Sequence, residues 1–131
     1  MQRSPLPPAR TQPLREEELA ALPLPAAGRA LLHSALAGAP LLGLWRTGTR
    51  ADTGLWFRQA PLWAACTPAE LLLFAAGPRP FVERAAFDQL KDSAYNVVTA
   101  AVVLAPAGGL SCRELRLLPL EGVQLLAQVG R

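Results

Sequence analysis

One histidine, one lysine, one tyrosine and two cysteines are all that this sequence holds of several side-chain types that commonly carry catalysis, ligate metals or staple small folds. Each scarcity closes off some chemistry. His33 is the single histidine, and no carboxylate or serine stands at a spacing that marks a triad with it, so histidine-based catalysis is not expected. Cys66 and Cys112 lie far apart, with no C-x-x-C or Cys/His spacing, so neither a zinc site nor a redox pair is indicated. Buried free thiols in a reducing compartment are the expectation, and with it a cytoplasmic location. Walker, dinucleotide-binding and EF-hand patterns are absent from the sequence, and no cofactor or metal is expected.

Long apolar runs are missing too. The longest candidate, Ala30 to Trp45, is interrupted by His33, Ser34, Gly38, Pro40 and Gly43 and falls short of the roughly 20 apolar residues that a membrane span requires. Near the N-terminus, Glu16-Glu17-Glu18 breaks any apolar stretch of the kind that directs secretion. Neither a transmembrane segment nor a secreted destination is expected.

Other residue types are abundant. Hydrophobic residues make up 51% of the 131 positions and charged residues 18%, enough apolar material for one domain with a core that needs neither disulfides nor metal. The formal charge is +3, and the basic residues other than Lys91 are all arginine. Arginine, alanine and proline enriched together are the signature of GC-rich coding, so the basic balance is not read as a nucleic-acid footprint. By segment, the local excess lies in the middle, where Arg46, Arg50, Arg58 and Arg79 face only Asp52 and Glu70 between positions 41 and 80.

Along the chain, residues 1–15 carry Pro5, Pro7, Pro8 and Pro13 among polar side chains and are expected to form a disordered tail. Residues 16–40 read as a helical arm. A first helix starts at the acidic run Glu16 to Glu18 and is stopped by Pro23 and Pro25, and a second runs from Ala26 to Leu36 and ends at Gly38-Ala39-Pro40. From Leu41 the pattern changes to short apolar runs separated by turn residues. Leu41–Trp45 reads as a strand, 46–54 as a polar loop, then Leu55–Gln59 and Leu62–Cys66 as strands broken at Pro61. Glu70–Phe74, Phe81–Phe87, Val97–Ala105 and Leu110–Leu118 continue the series, with 88–96 as a polar connection holding Tyr95 and Gly108-Gly109 as a hairpin. Pro119 to Val129 reads as a closing helix, with Leu120, Val123, Leu126 and Ala127 on its buried face and Gly122 as a weak point.

Trp63, Thr67, Leu71, Leu72, Leu73 and Phe74, followed by Val82, Glu83, Arg84, Phe87 and Leu90, give this region a pattern that resembles small bacterial pleckstrin-homology-like domains over residues 41–129. The resemblance implies a mainly β fold: a bent antiparallel barrel or sandwich of six to seven strands capped by a C-terminal helix, here preceded by the helical arm. It also implies non-enzymatic binding, to a protein partner or by self-association, through an open sheet edge or the arm. The lipid-binding members of that superfold use basic residues on the first two strands and the loop between them, which here correspond to Arg46, Arg50 and Arg58. An anion pocket or membrane-surface site at these three arginines is therefore the alternative.

Two further constellations stand beside it. Glu83, Asp88 and Asp92 could hold a cation or act as an acid and base, but Arg84 and Lys91 beside them read as surface ion-pair partners. Trp45, Trp56, Trp63 and Tyr95 with interspersed arginines suggest stacking platforms for nucleic acid, yet their apolar flanks favour core packing, and no nucleic-acid partner is expected. A small β-barrel enzyme or nucleic-acid binder is the third reading.

Overall fold

The computed structural model describes residues 9–54, 59–106 and 109–130. Two short helices come first, α1 (Glu16–Ala20) and α2 (Ala26–Leu36). Both match the expected helices, the first begun by its acidic run and the second spanning Ala26 to Leu36. The Glu18 carboxylate accepts the Arg15 amide at 3.3 Å at the start of α1, and α2 ends on Ala37 in the left-handed region at φ 50°.

Four strands follow: β1 (Gly43–Asp52), β2 (Gln59–Cys66), β3 (Glu70–Ala75) and β4 (Phe81–Ala86), joined as an antiparallel sheet in that order. A 3₁₀ turn at Phe87–Gln89 leads to β5 (Ala94–Asn96), β6 (Ala101–Val103) and β7 (Glu114–Arg116), a second antiparallel sheet in chain order. Helix α3 (Pro119–Val129) ends the described chain, with Pro119 in its first turn and the Glu121 carboxylate accepting the Leu118 amide at 3.2 Å. The fold is thus mainly β with a C-terminal helix. Among the described residues no main-chain ladder joins the two sheets, so a closed barrel is not formed.

The central strands β2 and β3 are buried on both faces. Leu62, Ala64, Cys66, Leu71, Leu73 and Ala75 point to a core shared with Val102, Leu115 and Leu125. Trp63, Ala65, Leu72 and Phe74, the alternate residues, point to the other side, where Leu24 and Leu32 of the arm cover them. This explains why Leu62–Cys66 and Leu71–Ala75 read as unbroken apolar runs. The arm packs on its own domain, and Arg84 fastens its end by donating to the Ala35 carbonyl at 2.8 Å while pairing with Glu70 at 3.3 Å.

Several local readings are corrected. Residues 46–52 belong to β1 and are not a loop, because Thr47 and Ala51 turn inward and the Thr47 hydroxyl donates to the Leu62 carbonyl at 2.6 Å. The β1–β2 register shifts between Arg46 and Arg50, a bulge that lets the strand bend toward the second sheet. There the Thr49 hydroxyl donates to the Glu114 carbonyl at 3.1 Å and accepts the Arg116 amide at 3.0 Å. Pro61 sits in the part of β2 that outruns β3, where no ladder bond is asked of its nitrogen on that side.

The strand expected over Val97–Ala105 is shorter and starts later. Asn96 Oδ1 accepts the amides of Val98 at 2.9 Å and Thr99 at 3.4 Å, and Ala100 takes φ 52°, so 97–100 form a turn. Part of the expected polar connection is instead β5, and Tyr95 donates its hydroxyl to the Leu117 carbonyl at 2.9 Å. The strand expected over Leu110–Leu118 narrows to β7, with Leu115 and Leu117 buried as its alternation required. The buried face of α3 is centred on Gly122, Leu125 and Val129, whereas Leu120 is exposed. The expected strand at Leu55–Gln59 and the hairpin glycine Gly108 lie at least partly outside the described residues.

Residues 9–15 run along the domain. The Leu14 amide donates to the Leu41 carbonyl at 2.7 Å, and the Arg10 guanidinium pairs with Glu18 at 2.7 Å. That hydrogen bond, followed by the one from the Arg15 amide, holds the Glu18 carboxyl below the usual carboxylate range. A carboxylate depressed in the folded state contributes stability above its unfolded pKa and loses it as pH falls through the folded value. The protection factor of the Leu14 amide, whose exchange is corrected for the intrinsic pH dependence, is therefore expected to fall on acidification below the usual carboxylate range, and Glu18→Gln should flatten that dependence.

Candidate interaction surface

Glycine at position 48 lets β1 lie close to β7. A Cβ there would meet the Arg116 Cβ at 3.2 Å, tighter than most such contacts. With the Thr49 bridge beside it, this approach places Arg46 and Arg116 along one groove of about 530 Å³, with Thr99, Ala100, Leu118 and Glu121 on its walls. Both arginines are exposed, and neither has an ion-pair partner within 4.0 Å among the described residues. Glu121 contributes one negative charge to the rim while its carboxylate is engaged by the Leu118 amide. The groove is therefore amphoteric with an excess of guanidinium.

Around it stand four large aliphatic residues that the fold leaves in solvent. Val97 and Val98 on the turn after β5 are 80% and 89% exposed, and Leu118 and Leu120 at the start of α3 are each 69% exposed. Main-chain bonding brings these segments together, since the Leu117 amide donates to the Ala100 carbonyl at 3.1 Å. Scattered exposed aliphatics are ordinary; four on two adjoining segments, beside guanidiniums that have no ion-pair partner among the described residues, form a patch of the kind that marks an interaction surface.

Of the arginines singled out by sequence, two lie among the described residues, and one of these lines the groove. Arg46 does; Arg50 is exposed four residues further along β1, opposite Pro61, and is not on the groove walls; Arg58 lies outside the described residues. Arg116, Val97, Val98, Leu118 and Leu120 were not identified as site residues. Asn96 was the available signal for the first two valines, because an Asx turn there converts a β-branched run into an exposed tip.

The other chemical candidates fall apart in space or are tied into the fold. His33 is exposed on α2. Glu83 accepts the Ser111 amide at 3.0 Å and its hydroxyl at 2.8 Å, and its neighbour Arg84 pairs with Glu70 instead. Among the described residues no three or more His, Cys, Asp and Glu side chains are grouped so as to hold a metal ion, and no helix is long and apolar enough to cross a membrane. Trp63 is a core residue at 4% exposure. Trp45 is half-buried, with its indole N–H donating to Gln124 at 3.1 Å, while Trp56 lies outside the described residues.

Both cysteines are free thiols. Burial pushes the Cys66 thiol well above the ordinary cysteine range, and burial first, then the Glu83 and Glu114 carboxylates, pushes up half-buried Cys112. With a thiol-reactive dye, one equivalent is expected to label slowly at neutral pH and faster as pH rises, and Cys112→Ser should abolish it. Cys66 should label only after denaturant is added.

Comparisons with protein-family models, with curated proteins and with solved structures find no match for this chain.

Proposed function

We propose that this chain is a non-enzymatic interaction module of pleckstrin-homology-like architecture, working in the cytoplasm, and that it binds a partner protein through the aliphatic patch around Arg46 and Arg116. Support for the architecture comes from the order of elements: a four-stranded meander, a three-stranded meander and a C-terminal helix packed against β1, β5 and β6. Free cysteines are in keeping with a reducing compartment.

The observation that carries the binding role is the exposure of Val97, Val98, Leu118 and Leu120 beside two guanidiniums without ion-pair partners among the described residues. A partner segment with aliphatic side chains and a carboxylate fits that surface. Its apolar groups would cover the patch, and Arg46 or Arg116 would take the carboxylate in a forked pair. An anion site built on Arg46, Arg50 and Arg58 has less support, because Arg50 stands apart from the groove.

A photo-crosslinking amino acid placed at Val98 in cells tests the reading. A defined protein adduct is expected, lost when Arg46→Glu and Arg116→Glu are combined and weakened by Leu118→Ser. An adduct indifferent to those changes, or adducts to lipid together with sedimentation on phosphatidylserine vesicles, would overturn it.

A further inference from the structure

Gln128 is a polar side chain only 3% exposed on α3, and both ends of its amide are engaged by a single residue from the other end of the chain. Its Oε1 accepts the Arg10 amide, and its Nε2 donates to the Arg10 carbonyl at 3.2 Å. A side-chain amide that takes both main-chain groups of one residue reads an extended backbone as a neighbouring strand would, without regard to the side chain there.

Specificity comes from the flanks. The Arg10 guanidinium pairs with Glu18 at 2.7 Å and donates to the Gln12 carbonyl at 2.9 Å. Four residues on, the Leu14 amide donates to Leu41, and the Leu14 side chain packs with the arm cluster. Residues 10–14 thus occupy a groove as a bound peptide would, with a cation and an aliphatic residue as anchors.

The seated segment underfills its groove. Among the described residues, about 720 Å³ beside it stays open, lined by Leu42, Leu44 and Trp45, and between its two anchors the strap lines that space with Thr11 and Gln12. A volume of that size is typical of pockets that take organic side chains or ligands. Larger apolar side chains between the anchors would fill what the described residues leave open.

We propose that this groove is a second binding site, for an extended peptide of a partner protein carrying a basic residue and an aliphatic residue four positions later, and that residues 9–14 hold it in cis as a displaceable occupant. It shares no lining residue with the Arg46–Arg116 groove and does not depend on the function assigned to that surface. Tethering sets the competition. An intramolecular segment competes at an effective concentration of order millimolar, so a trans peptide has to bind better or meet a loosened strap.

The test uses the full-length chain carrying Arg10→Glu, which sets a like charge against Glu18, and a synthetic heptapeptide with the sequence of residues 9–15. The Trp45 indole and Gln128 amide resonances report on the groove. Arg10→Glu is expected to shift both signals, and added peptide to return them toward their wild-type positions, with wild-type chain binding the peptide roughly tenfold or more weakly because its own strap competes. A Thr11→Leu version of the peptide should bind more tightly than the parent. An Arg10→Glu version should bind roughly tenfold more weakly.

Glu18→Arg provides the second arm, since it removes the same pair from the groove side. That chain should reverse the order and prefer the Arg10→Glu peptide. Absence of binding at millimolar peptide to either variant, or an unchanged order of the two peptides on Glu18→Arg, would overturn the proposal and leave the strap a purely structural segment.

Discussion

Leu73→Ala and Phe74→Ala, neighbours on β3, are each expected to cost several kcal/mol although their side chains point to opposite sides of the sheet. Both are 0% exposed. Leu73 lies in the core between the two sheets, while Phe74 lies under the arm with Trp63, its cross-strand partner. Truncations of fully buried side chains cost about 2–5 kcal/mol for leucine and about 3–5 kcal/mol for phenylalanine, because lost transfer energy adds to an unfilled cavity. A sheet with one solvated face would tolerate one of the two.

Urea denaturation with matched slopes measures both costs. Hydrogen exchange then separates them. Phe74→Ala should raise exchange selectively in α1 and α2, because it removes the surface on which they rest. Leu73→Ala should raise it first in β6, β7 and α3. A cost below about 1 kcal/mol for Phe74→Ala, within the range of ordinary surface changes, would show that the arm does not bury that face in solution.

Gly122→Ala is expected to destabilise the protein, against the direction that helix propensity alone gives. Replacing an interior helical glycine by alanine favours the helix by about 1 kcal/mol. Here a Cβ would come within 2.6 Å of Tyr95 Cδ2 and 2.8 Å of Cε2, with Val102 Cγ2 at 3.4 Å. The first two distances are closer than atoms can approach, so α3 or the ring has to move, and overpacking of this kind costs about 1–3 kcal/mol. Moving the ring also strains the hydrogen bond from Tyr95 to Leu117. The net expectation is a loss of up to about 2 kcal/mol.

A double-mutant cycle makes that result diagnostic. In a Tyr95→Ala background the obstacle is gone, and Gly122→Ala should become neutral or stabilising. The same sign in both backgrounds would locate the cost elsewhere. Sequence periodicity treats Gly122 as a weak point of the helix; the packing sets it directly against Tyr95 of β5 and Val102 of β6.

Elements with local signals were legible. Acidic first turns marked α1 and α3, prolines and Gly38 bounded α2, and alternation placed Leu115 and Leu117 on one side of β7. What the sequence did not disclose depends on partners distant along the chain. Arg46 to Asp52 looks like a polar loop until Thr47 meets the Leu62 carbonyl and Thr49 bridges to β7. Val97 and Val98 have strong strand propensity, but Asn96 captures their turn and leaves them in solvent. The buried stripe of α3 is set by the close approach at Gly122, which no count of leucines reveals.

The candidate surface was legible only at Arg46. Its second guanidinium, Arg116, stands 70 positions later in the chain and reaches the groove only because Gly48 and Thr49 hold β1 against β7. Arg50 shares a strand with Arg46 but not its groove, so nearness in sequence was a poor guide to which arginines share a groove.

Covering the outer face of β2 and β3 with α1 and α2 has a consequence for biosynthesis. Those two strands have no polar face to show water, and an uncovered sheet of this composition would associate with other nascent chains. Translation proceeds from the N-terminus, so residues 16–36 leave the ribosome before the strands they shield. The cover is waiting when the sheet emerges, and the order of segments along the gene serves as its own chaperone.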